Sequence, residues 1–167
     1  MLIQFTDFES IRSLLGVSTD ELSDETLIAP VYENQLKVKL NTLNATLLED
    51  YLTTVSQPTP TVLDSSFLAA TQLFCSYSVA MHLAQSLPMF APKTLTDGKA
   101  AFSRFSEAYK ELQKGLGAGL TEAAKGAKIA YAAWKGETYV SPAPVYGVLW
   151  VSPPYDTRVT NSLVVRN

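Results

Sequence analysis

The sequence predicts an all-α protein: a compact bundle of about five helices around one long central helix, followed by an extended C-terminal arm with short strand segments. Three observations carry this. Ser65 to Pro92 contains no Asp, Glu, Lys or Arg, so a helix there has no charged face to show water and is expected to be covered on most sides. Several flanking segments open with capping residues and carry apolar side chains at i, i+3 and i+4. From Glu137 onward the helical period stops and prolines, valines and aromatics take over. The boundary falls between a helical domain, 1–136, and an arm, 137–167.

The elements follow in chain order. Thr6 with Glu9 reads as a capping box before a short helix, IRSLL, stopped by Gly16. Ser18 with Glu21 repeats the signature, and Ser23 or Asp24 opens ETLIAPVYENQLKVKL. Leu27, Val31, Tyr32, Leu36 and Leu40 give that segment a helical stripe. Pro30 marks either a kink or a true first turn. Alternation of Leu36, Val38 and Leu40 with Lys37 and Lys39 offers a strand as the competing reading; helix is preferred, ending within Asn41–Asn44. The next helix, capped by Thr42 or Asn44, buries Leu47, Leu48, Tyr51 and Leu52. SQPTP, 56–60, is a loop. Asp64 is the expected N-cap of the central helix, and Pro88 and Pro92 end it.

Asp97 is expected to cap the helix that follows, in which Phe102, Phe105, Tyr109, Leu112 and Leu116 form a packing seam. Gly115, Gly117 and Gly119 predict a bend or break, since three helical glycines cost roughly 1 kcal/mol each against Ala. An Ala-rich helix then runs to Gly136, its small residues permitting close approach of another helix. In the arm, VYGVLWV and NSLVVR read as strand segments in need of a partner, because an isolated hairpin is marginal in water.

Composition bounds the function. The 167 residues suffice for one core without metal or disulfide staples. Charged residues are only 17%, which favours surface hidden in an oligomer. A net charge of −3 argues against general affinity for nucleic acid or anionic membrane. Ser, Thr, Gln and His interrupt the central helix too often for a membrane span, and the N-terminus lacks a signal-peptide pattern.

The catalytic inventory is thin, and no cofactor or metal is expected. His82 is the single histidine and Cys75 the single cysteine. They stand seven residues apart without an electropositive neighbour in sequence, and together they cannot make a typical zinc site. Gly115-Leu-Gly117-Ala-Gly119 follows a helix rather than a strand, unlike a nucleotide-binding turn. Asp20, Glu21, Asp24 and Glu25 fit two helix starts through the dipole. Lys114, Lys125, Lys128 and Lys135 form a basic stripe, a solvated face by default and a DNA-channel lining in the alternative. The polar residues of the central helix, Ser66, Gln72, Ser76, Ser78 and His82, are candidate contacts between copies.

The opening, FTDFESIRSLLGVSTDELSDETLIAPVYENQLKVKL, resembles the start of head–tail connector (adaptor) proteins of tailed bacteriophages. The match lies in Ile11 to Gly16, Ser18 to Glu25, and Leu27 to Tyr32: a short helix ending in an LG-V turn, a capped S/D-rich step, then a helix carrying a proline. The order of the later elements is also similar, although the glycine run has no place in that pattern. The resemblance implies a non-enzymatic virion protein. It would form a ring, usually of twelve copies, beneath the portal protein, extend the DNA channel and present a docking surface to tail or nozzle proteins. Double-stranded DNA would pass without specific binding. It further implies that the arm docks on the portal, through Tyr139, Val145, Tyr146, Val148, Leu149, Trp150, Val151, Tyr155, Leu163, Val164 and Val165. Strand addition would suit such an arm. Two other readings stand beside it. One is a helical binding module with an apolar cavity along Phe67, Phe74, Tyr77 and Met81. The other is a small enzyme using His82 and Cys75 or the carboxylates.

Overall fold

The computed structural model describes residues 2–86 and 99–140; the side chains of 99–108 lie outside the described set. Among the described residues the chain is helical and has no strand. A 3-10 turn, Leu2–Gln4, precedes α1 (Phe8–Leu15), α2 (Asp24–Leu27), α3 (Pro30–Leu43), α4 (Leu47–Val55), α5 (Val62–Ser86) and α6 (Lys99–Lys135). The expected ending of the central helix at Pro88 and Pro92, the Asp97 cap and the strand segments of the arm fall outside the described residues.

Local chemistry sets most helix ends. Gly16 closes α1 in the left-handed region at φ 67°, where a residue with a Cβ is strained. The N-cap of α1 is Asp7, not Thr6: Asp7 Oδ1 accepts the Ser10 N–H at 2.7 Å. Thr6 is instead buried, its hydroxyl 2.5 Å from that of Ser76 on α5. Glu21 accepts the Ser18 N–H as a capping box requires, yet the chain only turns there before Ser23 caps α2. Pro30 occupies the first turn of α3, where its missing N–H costs nothing. Residues 36–40 are helical, and Asn44 ends α3. The Asn44 carboxamide then accepts the Thr46 N–H, making the turn into α4 rather than capping it.

Burial follows the expected stripes with two exceptions. Tyr32, Leu36 and Leu40 are buried on α3 while Val31 is exposed. Leu47 and Tyr51 are buried on α4, but Leu52 faces outward and Thr54 takes the inner position. The Thr54 hydroxyl is satisfied by the Asp50 carbonyl at 2.7 Å.

Central helix α5 begins one turn earlier than expected. Asp64 sits inside it, its Oδ2 accepting both the N–H and the hydroxyl of Thr61 at 2.7 Å, while the Thr61 hydroxyl receives the Asp64 N–H. The capping box is Thr61-x-x-Asp64. Coverage of α5 divides along its length. From Phe74 to Ala84 every side is buried or half-buried. From Val62 to Leu73 one side stays open, with Val62, Leu63 and Leu73 87%, 55% and 51% exposed. The charge-free stretch was expected to be covered on most sides; in a single chain the first half of α5 is covered on one face only. Among the described residues α5 is the one helix long and apolar enough to cross a membrane, and more than half of that stretch is buried inside the protein.

The glycine run does not break its helix. α6 continues unbroken from Lys99 to Lys135 and lies against α5 as its principal partner. At Gly119 a Cβ would stand 2.2 Å from Cε1 of Tyr77, so the glycine lets the two helices close up. Gly115 and Gly117 have open space around them. Leu116, Ala123, Ala127, Tyr131 and Ala132 complete the buried face of α6, and Gly136, at φ 74°, ends it.

A ladder of rings ties Phe5, ahead of α1, to the last turn of α6. Phe5 stacks on Tyr51 (5.7 Å between centroids), and Tyr51 meets the edge of Phe67 (6.2 Å). Phe67 in turn packs on Tyr131 (5.4 Å) and Trp134 (5.1 Å). Beside this core two hydroxyls on α5, Thr71 Oγ1 and Ser78 Oγ, are buried without a hydrogen-bond partner among the described residues. An unsatisfied buried hydroxyl is unfavourable, so replacing Thr71 by the near-isosteric valine is expected to raise stability by about 1 kcal/mol. Urea denaturation checks this; a lower midpoint would mean that the hydroxyl has a partner, such as a bound water.

Candidate interaction surfaces

At the base of the molecule α4, α5 and α6 are clamped by polar groups set around the ring ladder. Asp50 on α4 accepts the Tyr131 hydroxyl at 2.5 Å and pairs with Lys135 Nζ at 2.8 Å. The same ammonium lies 5.1 Å from the Trp134 ring centroid and 5.6 Å from that of Tyr131, close enough for cation–π attraction. Trp134 Nε1 donates to Asp64 Oδ1 at 2.7 Å. Sequence reasoning placed Asp64 at the helix start but had no signal for its indole partner.

Both carboxyls are held below their ordinary values. For Asp50, burial opposes ionisation, but Lys135 and the Tyr131 hydroxyl outweigh it. For Asp64 the Thr61 N–H is the largest cause, followed by the Trp134 indole. Groups depressed in the folded state bind protons more readily when unfolded. Their contribution is therefore present above the ordinary carboxylate value of 3.8 and is lost as pH falls through the lower folded value. Urea midpoints should drop between pH 7 and pH 3. Asp50→Asn should lower the midpoint at pH 7 and flatten this pH dependence, and an undiminished dependence would remove Asp50 as its source.

The residues of the enzymatic alternative are not brought together. Cys75 is buried, and burial pushes its thiol up to about 12, so it stays protonated and unreactive near neutrality. His82 is half-buried against the ring of Tyr32 (5.8 Å) and has its Nε2 3.5 Å from Gln35 Nε2. No hydrogen bond joins it to Cys75. Among the described residues no group of three or more His, Cys, Asp or Glu side chains converges as a metal site.

The apolar cavity of the binding-module alternative is filled where it was expected: Phe67 and Phe74 are packed in the core. An open groove of about 750 Å³ lies between α3 and the end of α5 and takes in one of the four expected residues, Met81. It is lined by Val31, Val38 and Met81, with the amides of Asn34, Gln35 and Gln85, His82 and Lys39 around them. Burial lowers the pKa of the Lys39 ammonium.

The candidate contacts between copies separate into two groups. Ser66 and Gln72 are exposed on the open side of α5. Ser76 and Ser78 are buried inside the chain, and Ser76 is occupied by Thr6 and by the Gln72 carbonyl at 3.0 Å. His82 lines the groove. Of the basic stripe, Lys114 and Lys125 are exposed and Lys128 is half-buried; Lys135 is held in the clamp. Of the arm candidates, Tyr139 is half-buried, and the others, from Val145 to Val165, lie outside the described residues.

No family model, curated protein or solved structure matches the chain.

Proposed function

We propose that this protein is a structural subunit of a tailed-phage virion. In this reading it is a head-to-tail adaptor that assembles as a ring below the portal, extends the DNA channel, offers a docking surface to the tail and performs no catalysis. The observation that carries the assembly part is the half-covered central helix. A single chain leaves Val62, Leu63 and Leu73 in water on a helix whose one charged residue, Asp64, is buried, and burial of such apolar surface favours association. The adaptor identity rests on the resemblance of the first 40 residues. Their landmarks have definite local roles: Gly16 closes α1, Ser23 caps α2 and Pro30 starts α3.

The test is to mix the full chain with a purified portal and image the product. A ring seated on the portal is expected, and it should be lost on deletion of 141–167. A chain that leaves the portal bare, together with tail attachment unaffected when the gene is removed, would overturn the reading. The α3–α5 groove favours a second reading, a module that binds a partner segment. Val38→Glu should abolish such binding and leave portal attachment intact.

A further inference from the structure

Charge is distributed very unevenly along this weakly charged chain. The first 27 residues carry six carboxylates against one basic side chain, a net −5. From Tyr109 to Lys135 there are five lysines against two glutamates, a net +3. The one basic side chain there, Arg12, is buried and used internally, bonded to the Leu22 carbonyl, Glu9 and Asp24. All six carboxylate residues are exposed, and Asp20 and Glu25 have no partner among the described residues. On α6, Lys114, Lys125 and Lys128 fall within about 60° of arc at 100° per residue, on the side turned away from α5.

The two charged regions also face different ways. Both α1 and α6 pack on α5. Ser76 turns toward Thr6 at the start of α1, whereas the next residue, Tyr77, turns toward Gly119 of α6, a rotation of about 100°. An acidic corner on one side and a basic face on another cannot satisfy each other within one chain.

We infer that the outer face of α6 docks on the α1–α2 corner of a second copy, Lys114, Lys125 and Lys128 meeting Asp20, Glu25 and their neighbours. Such a contact is heterologous, so it propagates from copy to copy and closes as a ring or extends as a filament. Apolar contact is available beside the charges: Ile129 is 43% exposed on α6 and Ile28 is 58% exposed next to α2. A second copy carries the complementary surface, an exposed corner of net −5. The inference rests on the chain being an assembly subunit, but it is separable from portal binding.

Charge reversal on each side tests it, using full-length protein and sedimentation at low and at high salt. One variant carries Lys114→Glu, Lys125→Glu and Lys128→Glu; the other carries Asp20→Lys and Glu25→Lys. Each alone should self-associate at least about tenfold more weakly than the parent at low salt. An equimolar mixture should recover association through the paired complementary faces. High salt should weaken parent association, since screening shortens the reach of exposed charges to about 8 Å at 0.15 M. Circular dichroism confirms folding; if the triple variant fails to fold, Lys125→Glu paired with Glu25→Lys repeats the exchange. Parent protein that stays monomeric throughout, variants that associate like the parent, or a mixture that stays apart would overturn the inference. Lysine variants that lose binding to a duplex DNA fragment while associating normally would assign the face to DNA and also overturn it. Portal attachment measured in parallel separates failure of this contact from failure of the adaptor reading.

Discussion

Phe67→Ala is expected to cost about 3–5 kcal/mol, the range for truncating a buried aromatic, and to be the most damaging single truncation in the protein. Phe67 is fully buried, and its ring meets Tyr51 of α4 as well as Tyr131 and Trp134 of α6. Its removal opens a cavity at the junction of three helices and interrupts the ring ladder. The clamp residues nearby should weaken too, because Trp134 is held against Asp64 partly by the Phe67 ring stacked on it. Urea unfolding followed by tryptophan fluorescence reads both effects. A loss below about 1 kcal/mol would mean that the neighbours collapse into the space.

The second large effect separates the glycines of α6 by sign. Gly119→Ala should destabilise by about 1–3 kcal/mol, the cost of forcing a methyl into a filled site, since its Cβ would stand 2.2 Å from the Tyr77 ring. Gly115→Ala and Gly117→Ala meet nothing within 4 Å and should each stabilise by about 0.5–1 kcal/mol through helix propensity. Combining Gly119→Ala with Tyr77→Ala should recover part of the loss, a coupling that a double-mutant cycle measures. Thermal midpoints moving the same way in all three single variants would contradict a specific approach at Gly119.

The same glycines show where sequence reading stopped. Helix propensity is a local quantity, so the run Gly115-Leu-Gly117-Ala-Gly119 reads as a break. The opposing fact, a tyrosine on another helix against Gly119, is tertiary and leaves no trace in the neighbouring residues. Local devices were legible for the complementary reason. Gly16, Ser23 and Pro30 act within one turn of themselves, enough to place α1 and the start of the next segment, while its division at Pro30 into α2 and α3 was one of two readings left open. Asp64 was legible by half: its position near a helix start is a local signal, its indole partner is not. Thr6 was misassigned because Asp7 beside it makes the better cap, freeing Thr6 to meet Ser76. The helical class and the buried stripes of α3 and α4 were therefore readable, apart from Val31 and Leu52. The clamp, the groove and the open side of α5 depend on contacts between distant segments. The basic stripe was visible in sequence, but that Lys135 leaves it for Asp50 was not.

The pairing of α5 with α6 has a consequence for how the chain is made. Asp64 and Trp134 are 70 residues apart, and a ribosome supplies residues at about 5–20 per second, N-terminal first. The aromatic side of α5 therefore leaves the ribosome roughly 4–14 s before the rings that cover it. During that interval the nascent chain presents to the cell the side of α5 that α6 will cover, on a helix with no charge after Asp64. It is the stage of synthesis most exposed to aggregation, and the one at which chaperone capture would have most to protect.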